Sequence, residues 1–270
     1  MSIEFSAAQN DVLAGLRALP EDLQKDVPVL MVNRIGNTDQ AYMRTENFLG
    51  YAAPDEVYQL TMEGMITAAD MQVQPMPEAV KPPSLELTGD WQSEVDLTID
   101  DANILGGNGR YLLPKGDETL DIPVAETTAE HLAYYNSYLV PVGEALSFKS
   151  SGNLPVTVTA VGEDYAEEYL LDPAQGGGAY LEVHDRPHFH MPLDETAGGY
   201  LIIGKRNADG KDEVSAFQVP FGYGLHMGPW AIHADAYLVG RYMVIYSATS
   251  EFSTVILRKS CGELAKVRFV

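Results

Sequence analysis

From Val156 to Val270 the chain reads as a succession of short apolar runs, many alternating or β-branched, divided at close intervals by turns. The runs 156–161, 169–171, 179–183, 200–203 and 214–219 are strand-like, and 236–246, 254–257 and 266–269 complete the series. Gly176-Gly177-Gly178, Gly198-Gly199 and Asn207-Ala208-Asp209-Gly210 lie between them, and such residues supply the positive φ angles that tight turns need. Runs too short for buried helices, at regular spacing, bury their inner faces only by stacking sheet on sheet. The expectation is a mainly β protein built as a sandwich or barrel.

The first half is more mixed. Val12, Leu13, Leu16 and Leu19 form an apolar stripe that predicts a helix over 6–19, with Ser6 as its cap and Pro20 as its stop. Val29 to Val32 is a short apolar piece, and 57–65 alternates as a strand. Pro75, Pro77, Pro82 and Pro83 mark 72–83 as a linker. This divides the chain into an α-containing extension over 1–83 and a β-rich region over 84–270, whose core spans about 150–260. Within the latter, 85–88, 95–99 and 111–113 read as strands, and 127–139 as a helix carrying His131. Gly106-Gly107-Asn108-Gly109 lacks the Lys-Ser/Thr of a phosphate loop and reads as a hairpin turn.

Charge narrows the partners. Thirty-nine acidic against seventeen basic residues give −22, a surface that repels phosphate backbones and argues against nucleic acid. No apolar run has the length of a membrane span, and the first residues lack a basic then apolar leader. With Cys261 as the single cysteine, a reducing cytoplasm is the expected compartment. Arg186, Lys205, Arg206 and Arg241 stand out against the acidity, either admitting an anionic substrate or pairing with surface acids.

The chemistry concentrates in His188-Phe189-His190-Met191-Pro192-Leu193-Asp194-Glu195. On a strand, residues two apart share a face, so both imidazoles converge, and a bend at Pro192 would bring Glu195 to them. His233, in Gly228-Pro229-Trp230-Ala231-Ile232-His233, is a fourth ligand candidate. Imidazoles with a carboxylate suit one divalent transition metal, zinc, iron, manganese or nickel. His184 shares strand parity with His188 and is a partner of the ligands, a general base, or a strand-end residue without a role. His226 precedes the Pro229 loop, where an acid or base would be well placed.

His188, His190, Glu195 and His233, in this order, resemble the metal motifs of the cupin superfamily. There a His-x-His pair, a Glu and a Gly are followed by a Pro and a final His. Gly204 stands two residues late for the closing glycine, and Pro229 to His233 is one residue short. The Pro229-Trp230-Ala231-Ile232-His233 segment is further similar to that of metal-dependent uronate ketol-isomerases. The resemblance covers about 175–250 and implies a jelly-roll barrel (double-stranded β-helix) with one metal. It implies an isomerase or lyase acting on a small sugar acid or keto acid, with an iron-dependent dioxygenase or a non-catalytic ligand-binding cupin as alternatives. His226, His184 and Tyr200 are then the candidate catalytic residues, and Arg241, Arg186 and Trp230 those for the substrate. An extended sheet also makes a homodimer plausible.

Overall fold

The structure, a computed structural model, describes residues 32–92, 109–247, 249 and 251–270. In chain order its strands are β1 (Asn33–Ile35), β2 (Tyr42–Ala52), β3 (Val57–Thr61), β4 (Gly64–Thr67), β5 (Leu85–Glu86), β6 (Asp90–Gln92), β7 (Gly109–Leu112) and β8 (Thr119–Ile122). After a short helix, α1 (Ala129–Tyr134), come β9 (Ser137–Pro141), β10 (Ala145–Ser147), β11 (Leu154–Val161), β12 (Tyr180–His184) and β13 (His188–Pro192). The remainder are β14 (Gly198–Arg206), β15 (Asp212–Phe217), β16 (Tyr223–Met227), β17 (Ile232–Ile245), β18 (Phe252–Arg258) and β19 (Lys266–Phe269).

The protein is mainly β, organised around β17. One end of this long strand pairs with β12 and β14, and the other with β11 and β13. It thereby joins two runs of strands, β1-β2-β11-β17-β13-β16-β9 and β5-β15-β14-β17-β12-β18-β7-β6. The pairing with β14 slips between Tyr200 and Ile202, so β17 carries an extra residue there. A bulge of this kind inverts which side chains face a given side. His233 and Asp235 therefore face the same interior as Val244, which lies across from His190.

Leu201, Ile203, Phe217, Leu225, Met227 and Val244 fill part of that interior. On the opposite face of β13, Phe189 and Met191 pack with Met243, Ile245, Tyr58, Leu60 and Phe148, of which Tyr58 and Leu60 come from a separate three-stranded sheet, β10-β3-β4. The burial of these apolar surfaces on both faces is the main driving force holding the layers together.

Several local expectations need correction. The strand expected at 169–171 is instead the end of a π-helical turn, Ala166–Leu170, where Tyr165 and Tyr169 stack at 5.5 Å. The helix expected over 127–139 is shorter, because Asn136 takes a left-handed φ of 55° and β9 follows at once. The segment expected as one strand over 57–65 turns into the hairpin β3–β4. Residues 72–83 contain neither helix nor strand. The helix expected over 6–19 and the strand over 95–99 lie outside the described residues, as do 29–31 and most of the glycine turn at 106–109.

Candidate metal centre

Three strands each deliver an i, i+2 pair to one place. β12 gives Glu182 and His184, β13 gives His188 and His190, and β17 gives His233 and Asp235. All six side chains are buried. Glu182, His184, His188 and His233 each offer a ligand atom, all within 4.8 Å of one another, and His188, His190 and Asp235 form a second such group.

The hydrogen bonds fix the tautomers. His184 Nδ1 lies 2.7 Å from the Arg186 carbonyl oxygen, and His233 Nδ1 lies 2.9 Å from that of Ala231. A carbonyl oxygen only accepts, so in both rings Nδ1 carries the proton and donates it. In the neutral rings each Nε2 is then a lone pair. These two lone pairs face each other at 3.2 Å, and His233 Nε2 lies 3.1 Å from Glu182 Oε1, a third acceptor. Three acceptors this close repel unless a cation or a proton sits among them. His188 adds two buried ring nitrogens without any hydrogen-bond partner. Such an orphaned buried group costs about 1–3 kcal/mol. The donor set therefore fits a divalent metal, with ring N–H groups anchored on backbone carbonyls as metal-bound histidines usually have them.

The electrostatics agree with this division. Burial, and then the neighbouring His233, push the His184 imidazole down to about 3. Burial and the surrounding imidazoles hold His188 well below the ordinary value. Burial also acts to lower His233, but the adjacent Glu182 carboxylate outweighs that and leaves it raised, so without a cation a proton is drawn to the gap between them. Beside them, Tyr180 donates its hydroxyl proton to Asp235 Oδ1, and His190 Nε2 lies 3.3 Å from Asp235 Oδ2. Burial alone would raise the Asp235 carboxyl, yet the bond from His190 and that from Tyr180 keep it below the usual range.

Of the residues singled out from the sequence, His188, His190, His233 and His184 meet in this cluster. Glu195 does not, for β13 runs straight through Pro192 and Glu195 stands exposed in the turn beyond it. Glu182 supplies the carboxylate in its stead. His226 lies across from Phe189, hence on the face of β13 opposite His188 and His190. It stacks between Tyr138 at 4.4 Å and Phe148 at 5.2 Å. Tyr200 packs against Phe269 at 4.6 Å, within a separate part of the core.

The basic residues also face elsewhere. Arg241 follows the β17 bulge and points to the surface, 48% exposed, where it pairs with Glu46 at 2.8 Å and Asp194 at 3.7 Å. Arg186 bonds Ser151 through its side chain and serves the cluster through its carbonyl oxygen. Lys205 lies over the Tyr134 ring, and Arg206 pairs with Asp212. Trp230 is 58% exposed with a left-handed φ of 65°, and its backbone N–H donates to the His184 carbonyl oxygen at 2.8 Å. Cys261 is exposed. Glu182 and Asp235 were not singled out from the sequence, although Tyr180, Glu182 and His184 alternate along one strand and signal a polar inner face.

In comparisons with known proteins, no family model matches the chain, and no curated protein and no solved structure matches it either.

Proposed function

We propose that this protein is a metal-dependent enzyme of cupin type, an isomerase or lyase acting on a small sugar acid or keto acid. The carrying observation is the convergence of His184 Nε2, His233 Nε2 and Glu182 Oε1 while both ring N–H groups are held by backbone carbonyls. Glu182, His184, His188 and His233 would hold the ion. A bound divalent metal supplies Lewis-acid polarisation of a substrate carbonyl. Two strand runs that share β17, with a cluster of buried polar side chains between them, support a jelly-roll arrangement.

The remaining pair supplies the base. Asp235 accepts from Tyr180 and faces His190 Nε2, so a neutral His190 points its proton at the carboxylate and keeps Nδ1 as a lone pair. That Nδ1 is buried and has no hydrogen-bond partner. An imidazole oriented by a carboxylate in this way is a general base. His190 Nδ1 would take the C–H proton from the hydroxyl-bearing carbon beside the substrate carbonyl and return it to the former carbonyl carbon, while the hydroxyl proton passes from one substrate oxygen to the other and Asp235 stabilises the imidazolium. The same three-histidine, one-carboxylate donor set also suits iron, and dependence of turnover on dioxygen separates that alternative.

The test is turnover of hydroxy-keto acids and uronates in deuterated solvent. The substrate carbon next to the carbonyl should acquire deuterium, and His190→Gln should abolish the label while metal content persists. Labelling that is unchanged in His190→Gln removes the base assignment, and strict oxygen dependence replaces the isomerase with a dioxygenase.

A further inference from the structure

The interior cluster opens onto a small cavity lined by Glu182, Asp235, Tyr180, Tyr246, Met43 and Arg34. Only Arg34 among these is a cation. It comes from β1, far from the histidine motifs in sequence. Its Nη1 donates to the Tyr165 hydroxyl at 2.7 Å and contacts Met43 Sδ at 3.9 Å. Tyr165 is fully buried and stacked on Tyr169, so this bond fixes the guanidinium from behind.

Arg34 forms no ion pair with any acid among the described residues, although the chain carries 39 of them. Of the two carboxylates on the cavity wall, Asp235 is engaged by Tyr180 and His190, and Glu182 is directed at the His184–His233 gap where the metal would sit. Arg34 Nε and Nη2 make no hydrogen bond within the described residues. A planar guanidinium with two free donors matches a carboxylate in bidentate fashion. Arg34 is the cationic side chain in a lining that otherwise presents the charges of Glu182 and Asp235.

We propose that Arg34 receives the carboxylate of the acidic substrate and sets the site's preference for acids over neutral sugars and ketones. The proposal rests on the metal-centre reading above. The cavity holds about 10 Å³ open to the centre of a water, room for roughly one such molecule. An acid larger than a water exceeds this volume, so its entry requires the wall that β1 forms, Arg34 included, to adjust. β1 is a three-residue edge strand, paired to β2 alone.

The test uses protein loaded with Mn²⁺ and two probes that differ in the carboxylate, pyruvate and hydroxyacetone, followed by paramagnetic broadening of their methyl signals. Pyruvate should broaden in wild type. Arg34→Met should weaken pyruvate roughly tenfold or more, and Arg34→Lys by a smaller factor. Hydroxyacetone should respond equally in all three. Manganese content and circular dichroism of each variant show whether the centre and fold persist, and Arg34→Lys carries the test if Arg34→Met does not fold. Equal pyruvate affinity in the variants, or manganese-loaded wild type that ignores pyruvate, overturns the role of Arg34 alone. Wild type that holds no manganese overturns the metal-centre reading and this role with it.

Discussion

His233 and Glu182 are direct partners across the β17–β12 pairing, and Nε2 of one lies 3.1 Å from Oε1 of the other. Both are buried, on adjoining strands that place an acceptor opposite an acceptor once the His233 N–H is committed to Ala231. An extended backbone pairing thus presents a ligand pair in fixed geometry, with no loop to order.

That relationship separates the two candidate carboxylates. Glu182→Gln keeps shape and removes the charge, and should lower metal affinity by more than about tenfold. Glu195→Gln, in an exposed turn, should leave it unchanged. Competition against a chelator measures both. The reverse order of effects would return the ligand role to Glu195.

Burial gives His226 a defined pH signature. An ordinary imidazole titrates near 6.5, and burial pushes His226 down to about 3. The unfolded chain therefore binds a proton that the folded one refuses. The stability is complete above about pH 6.5 and declines as pH falls towards 3, by up to about 1.4 kcal/mol per pH unit. His184 and His188 act in the same direction, so the readout is the difference between wild type and His226→Phe in urea unfolding at pH 7.5 and 5. The gap between the two should change in favour of the variant at pH 5. Parallel behaviour would show that His226 is not held neutral.

At the surface, Arg241→Leu should alter stability by less than about 1 kcal/mol, since half-exposed ion pairs contribute little. Metal content should stay at the wild-type level, because Arg241 pairs with Glu46 and Asp194 rather than with the centre. Loss of metal in this variant would contradict the orientation of β17 beyond its bulge.

Trp230 holds a left-handed φ that costs a side-chain-bearing residue about 1–2 kcal/mol. Trp230→Gly should relieve this and offset the lost contacts of a mostly exposed indole, leaving stability within about 1 kcal/mol of wild type. Chemical denaturation measures it. A loss of several kcal/mol would mean that the indole packs more than its exposure indicates.

The mainly β character was legible in the sequence because strand spacing and turn residues are local properties. His188-x-His190 was legible for the same reason, both histidines lying on one strand. Glu182-x-His184 and His233-x-Asp235 were harder, since each looks like an ordinary polar pair in an alternating strand. Only the convergence of β12, β13 and β17 gives them a shared target. Arg241 misled because a bulge in β17 inverts its facing, and register slips leave no local mark. Glu195 misled because spacing says how far a residue lies along the chain but not whether the chain bends. Arg34 meets the cavity because its hairpin partner β2 pairs with β11, more than a hundred residues further along the chain, beyond what any motif spans.

The most direct measurement is the metal content of the purified protein, wild type beside His188→Ala and His233→Ala, by elemental analysis after dialysis. About one divalent ion per chain in wild type, lost in both variants, is the predicted result. Wild type without metal, with both His233 nitrogens protonated in ¹⁵N spectra, would show that a proton alone reconciles the three acceptors, and would contradict it.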